Sequence, residues 1–123
     1  MSVCLAAGGA VKALQVAAFT LAWTHSVQKT AWQEDWIVAD GALRVVAARI
    51  QSSGAGMDPP PEARLVDGWW TWRPDRAPLP EIVLANSGEA GEWRICANGC
   101  RTLAEILGVD VAPPVTRVTA CTQ

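Results

Sequence analysis

Hydrophobic or small residues alternate with polar ones at period two along much of this chain. Val3, Leu5 and Ala7 mark one face of a first strand, and Gly8-Gly9 reads as a hairpin turn into a second strand over 10–16. Residues 18–25 follow, with Phe19, Leu21, Trp23 and His25 on one face and Thr20, Ala22 and Thr24 on the other. Over 30–38, Trp32, Glu34, Trp36 and Val38 share a face. Asp40-Gly41 is a strong turn dipeptide, and 42–50 resumes the run with Leu, Val and Ile. Five strands with short connections predict an antiparallel meander rather than β-α-β units.

The middle of the chain breaks this pattern. Glycine and proline punctuate 52–61 too heavily for a strand or a helix interior, so a loop ending in a short polyproline stretch is expected. Residues 69–72 form a strand between Asp67-Gly68 and Pro74. Pro78 and Pro80 bend the chain before a strand over 82–85, a turn covers 86–91, and a strand over 92–96 enters a hairpin at Ala97-Asn98-Gly99. Thr102 and Glu105 fit a capping box for one short helix over 103–107, ended by Gly108. After Pro113-Pro114, 115–122 alternates again. The expected fold is mainly β, an antiparallel sandwich or small barrel with one short helix near 103–107. It forms a single domain over 1–123.

Composition narrows the function classes. Half of the residues are hydrophobic and 18% are charged, which excludes disorder. Ten basic against twelve acidic residues leave a net charge of −2, which argues against nucleic-acid binding. No apolar run reaches the roughly 18–20 residues of a membrane span, so no membrane insertion is expected. The apolar start of the chain has no basic residue before it and makes a poor signal peptide. The sequence as written therefore points to the cytoplasm, and to the periplasm if the start codon is misassigned.

The chain carries four cysteines, seven tryptophans, one histidine and no tyrosine. Cys4 and Cys121 lie near opposite ends, which are often close in space. Cys96 and Cys100 point to opposite faces if Asn98-Gly99 is a two-residue turn. They sit opposite each other, within disulfide range, if the loop has three residues. Free thiols lead these readings, ahead of a disulfide and, last, a metal site, for which the chain has too few histidines. Trp23, Trp36 and Trp93 are assigned to the core. An extended 69–72 sets Trp70 apart from Trp69 and Trp72, so a tryptophan on the less buried face, near Arg73 and Arg76, is a candidate contact surface.

If Phe19, Trp23, Trp32 and Trp36 share a buried face, the register pairs His25 with Trp32 and Trp23 with Glu34. His25 and Glu34 then become diagonal neighbours, and a buried carboxylate needs such a partner. The pair either locks the hairpin or forms a polar site with Ser26 alongside. An enzymatic version would make His25 a general base and Ser26 a nucleophile, but Ser26 directly follows His25 and so points to the opposite face, and no G-x-S-x-G elbow is present. Gly54-Ala55-Gly56 lacks the phosphate-loop pattern and no helix follows it, so no cofactor and no metal are expected.

The segments Phe19–Val27 with His25-Ser26-Val27, Glu34-Asp35-Trp36, and Ser53-Gly54-Ala55-Gly56-Met57 together resemble the bacterial domain-of-unknown-function family 1850. The family's motif positions fall on His25, Ser26, Val27, Glu34, Gly54 and Gly56. The family has no established activity. Its members are often encoded beside tripartite solute transporters of the TAXI type, which implies an accessory role in small-solute uptake. The expected function is thus a non-enzymatic binding or accessory module. Its candidate site is His25, Ser26, Glu34, Ser53, Gly54, Gly56 and Trp70, and its expected partner is a solute transporter or that transporter's small-molecule ligand. The alternatives are an enzyme using His25 and Glu34, and a structural partner of a membrane complex that docks through exposed tryptophans.

Overall fold

The computed structural model of the protein describes residues 2–24, 30–51, 59–85 and 93–121. Its strands are β1 (Ser2–Ala7), β2 (Ala10–Leu14), β3 (Ala18–Thr24), β4 (Ala31–Ala39), β5 (Ala42–Ile50), β6 (Arg64–Val66), β7 (Trp69–Trp72), β8 (Glu81–Ala85), β9 (Arg94–Cys96), β10 (Cys100–Thr102) and β11 (Val115–Cys121). The single helix among the described residues is α1 (Leu103–Leu107). One sheet has the order β2-β1-β11-β8 and the other β10-β9-β3-β4-β5-β7-β6. All pairings between strands are antiparallel. The fold is therefore mainly β, and the two sheets stack as a sandwich rather than closing into a barrel.

The first five strands do not form one meander. β1 and β2 stay in the four-stranded sheet, and the chain crosses at Gln15–Ala17 to begin β3-β4-β5 in the other. Hairpin twist explains the tight turns: Asp40 and Gly41 both have positive φ, 53° and 75°, as a two-residue type I′ turn requires. The inner faces meet in one core. Val3, Leu5, Leu84 and Val118 from the smaller sheet pack with Phe19, Leu21, Trp36, Leu43, Val45 and Ile95 from the larger. Alternate residues of β1, β3 and β4 supply this face, and β5 does so on either side of a bulge, with Leu43 and Val45 before it and Ala48 and Ile50 after it.

Helix α1 closes one side of that core with Leu103, Ala104, Ile106 and Leu107. It is too short to stand on propensity alone. The expected capping box is present: the Glu105 N–H donates to Thr102 Oγ1 at 3.1 Å, and the Thr102 N–H donates to Glu105 Oε1 at 2.9 Å. Hydrogen bonds to the carboxyl, first from the Thr102 backbone N–H and then from its side chain, hold Glu105 below its ordinary range, helped by the charges of Arg101 and Arg94. Gly108 ends the helix in the left-handed region.

Several expectations change. β6 and β10 are strands that the sequence pattern does not reveal. The β3–β4 register is offset by two residues from the expected one: Trp23 faces Trp32, Leu21 faces Glu34 and Phe19 faces Trp36. A shift of two preserves which face each residue occupies, so Glu34 stays with the tryptophans. Trp70 does not stand apart from Trp72. Trp70 pairs with Ile50 and Trp72 with Ala48, both buried, which puts the two on the inner side and leaves Trp69 opposite; all three are half-buried. The reading of free thiols is also overturned. The hairpin takes the three-residue loop, Cys96 lies opposite Cys100, and both Cys96–Cys100 and Cys4–Cys121 are disulfides.

Candidate functional site

The inner face of the larger sheet extends into a row of tryptophans. Trp23 stacks on Trp32 with ring centroids 5.3 Å apart, and Trp93 lies 4.5 Å from Trp23 at a tilt. Trp72 meets Trp32 edge-on at 5.9 Å. Aromatic pairs in these geometries contribute beyond their buried area. The row arises because β9, β3, β4 and β7 each place a tryptophan at or beside the same end. Trp93 also ties the two sheets, since its Nε1–H donates to the Ala85 carbonyl of β8 at 2.9 Å. Trp32 Nε1 is buried without a hydrogen-bond partner among the described residues.

The described flanks of three connections converge on this end. β3 ends at Thr24 and pairs it with Ala31, Gln51 N–H donates to the Ala31 carbonyl, and Ala85 receives the Trp93 indole. Segments 25–29, 52–58 and 86–92 leave from there. His25, Ser26, Ser53, Gly54 and Gly56, with Val27 and the expected turn over 86–91, lie outside the described residues. The His25–Glu34 pairing therefore has only its glutamate in view.

Glu34 is 7% exposed, on the inner face of β4 between Trp32 and Trp36. The partners seen for its carboxylate are the Trp36 indole, which donates to Oε1 at 3.3 Å, and the Arg76 guanidinium, which donates to Oε2 at 3.4 Å. Arg76 reaches in from the proline-rich bend after β7 and stays half-exposed. Of the expected site residues, the structure thus brings Glu34 and Trp70 onto one inner face. Trp23 and Trp32 stand on the face of Glu34 as the sequence reading has them, and the structure adds Arg76, Trp72 and Trp93, which that reading did not join to it. The signal for Arg76 was thin: an arginine near Trp72, 42 residues from the carboxylate it meets.

The opposite, outer face of the same sheet carries a polar network. Arg49 donates from Nη1 and Nη2 to both Asp35 carboxylate oxygens, at 2.9 and 3.1 Å, and from Nε to Gln33 Oε1 at 2.8 Å. Thr20 donates to Asp35 at 2.7 Å. Burial pushes the Asp35 carboxyl up, but the hydrogen bonds from Arg49 and Thr20 and the charge of Arg49 outweigh it, so its pKa falls below the ordinary 3.8. A depressed carboxylate stabilises the fold fully above its unfolded value, and that support is lost as pH falls through the lower folded value. Thermal melts of wild type and Asp35→Asn should accordingly differ near neutral pH and converge below pH ~3. A gap that persists unchanged into acid would show that Asp35 acts through shape alone.

Between β9 and β4 on this outer face lies a cleft of about 210 Å³, lined by Ala22, Trp23, Thr24, Ala31, Trp32, Gln33 and Arg94. It sits at the tryptophan end. Among the described residues, no group of three or more His, Cys, Asp or Glu side chains could hold a metal ion.

Comparison with known proteins returns one family. Residues 19–103 match the family described as "Domain of unknown function (DUF1850)", which spans β3 through the first residue of α1. No curated protein and no solved structure matches the chain. The match covers well over half of the chain, so the chain belongs to that family.

Proposed function

We propose that this member of the DUF1850 family is a non-enzymatic binding module that holds a small solute at the tryptophan end of its sandwich, as an accessory to that solute's uptake. The observation that carries this reading is the row Trp93-Trp23-Trp32-Trp72, set where the described flanks of three connections converge. Aromatic faces with a few placed polar groups are the usual lining of small-molecule sites. The acid–base reading is not carried further, because the Glu34 carboxylate is bound by Trp36 and Arg76. Two disulfides favour an oxidising compartment, which supports the periplasmic placement over the cytoplasmic one. A solute transporter, or the solute it carries, remains the proposed partner.

A thermal-shift screen over anionic, cationic and neutral small solutes tests the reading. At least one solute should raise Tm with concentration, as ligands of the native state do. The same solute should quench tryptophan fluorescence, and Trp32→Phe should weaken its binding. A panel in which nothing binds overturns the proposal.

A further inference from the structure

The outer-face cleft at the tryptophan end has a one-sided chemistry. In the strand register, Ala22 pairs with Arg94 on one side and with Gln33 on the other, and Thr24 pairs with Ala31. Alternation places all five on the outer face, since Leu21 and Ile95 between them are buried. Small side chains thus lie between two long ones, and the trough that results is the cleft of about 210 Å³. Its polar rim offers donors. Gln33 Oε1 accepts from Arg49 Nε, an arginine nitrogen that can only donate, so the orientation of the amide is fixed and its NH2 protons remain available. Thr24 adds a hydroxyl. The Arg94 side chain is exposed, and its guanidinium makes no hydrogen bond or ion pair among the described residues.

The acids near this rim are committed elsewhere. Asp35 is engaged by both Arg49 terminal nitrogens. Glu105 feels the charge of Arg94, but its hydrogen bonds go to Thr102 in the capping box. No carboxylate lines the cleft.

We propose that Arg94, Gln33 and Thr24 form a binding site for the carboxylate group of a small organic acid, an inference that rests on the binding-module reading and gives its ligand class. A planar guanidinium matches a carboxylate with two parallel bonds, and an amide and a hydroxyl complete the oxygens' shell. The floor of Ala22 and Ala31 presents hydrocarbon, which suits an acid with a carbon skeleton and offers nothing to inorganic phosphate. The volume fits a single small molecule rather than a polymer segment.

Titration of the ¹⁵N-labelled chain with sodium benzoate, sodium succinate, benzamide, choline and inorganic phosphate tests this. A carboxylate probe should shift the Arg94 Nε–H and the Gln33 side-chain amide, and should bind at least about tenfold more tightly than benzamide, choline or phosphate. Arg94→Gln should weaken it by about tenfold or more with Tm unchanged, and Arg94→Lys should restore only part of that affinity. Carboxylate binding that ignores Arg94→Gln, or phosphate binding as tight as that of the acids, overturns the site. If benzamide or choline binds at the tryptophan row while the acids leave Arg94 untouched, this inference fails and the binding-module reading stands. If none of the five probes and no solute of the wider panel binds anywhere, both fail.

Discussion

Replacing Cys4 and Cys121 together with alanine should destabilise the protein by about 4–5 kcal/mol, the largest single loss expected from any pair of substitutions here. The two cysteines sit on the paired strands β1 and β11, with Cα atoms 5.9 Å apart and 117 positions between them in sequence. On the chain-entropy account, a cross-link restricts the unfolded chain more as the loop it closes grows. Cys96–Cys100 closes a loop with a separation of only four, and by the same account its removal should cost about 2 kcal/mol. Urea denaturation of the two double variants gives the ranking directly. A Cys96/Cys100 variant that loses more than the Cys4/Cys121 variant would show that loop length does not govern these cross-links.

Trp36→Ala should cost about 3–5 kcal/mol. Trp36 is 3% exposed, packs in the shared core and donates its indole N–H to Glu34. The substitution opens a cavity and leaves a buried carboxylate with Arg76 as its remaining partner among the described residues. Trp36→Phe separates these effects. It keeps most of the volume and should cost about 1–3 kcal/mol, chiefly through the carboxylate oxygen left without its indole donor. Adding Glu34→Leu to Trp36→Phe should recover much of that loss, since removing both partners of a buried polar contact is far milder than removing one. A double-mutant cycle by chemical denaturation measures the coupling. Strictly additive losses would mean that the indole–carboxylate contact contributes nothing.

The parts of the fold that were readable in the sequence are those set by neighbours. Turn dipeptides such as Asp40-Gly41 require positive φ, and the Thr102–Glu105 box satisfies helix-end donors within four residues, so each is visible in a short window. The face occupied by Glu34 was readable for the same reason, because parity survives a two-residue slip. The register itself was not. It is fixed by Thr24 facing Ala31, and the same alternation fits equally well at a register two residues away. β6 is three exposed residues paired, among the described residues, with β7 alone, and it has no periodic signal of its own. The candidate site was readable only in part. Glu34 announced itself as a charge on an apolar face, but its Arg76 partner lies across the proline-rich bend. The Arg94–Gln33 cleft exists only because β9 returns to lie beside β3. The Cys4–Cys121 bond depends on β1 meeting β11 across the whole chain, which no local pattern encodes.

That last bond makes the molecule, in topological terms, a ring. Any one peptide bond between Cys4 and Cys121 can be cut by a protease without releasing a fragment, because the two pieces stay joined through sulfur. A nicked molecule would keep its mass, apart from one added water, until a reductant is supplied. Tension applied at residues 4 and 121 would likewise run through the S–S bond and bypass the sheets.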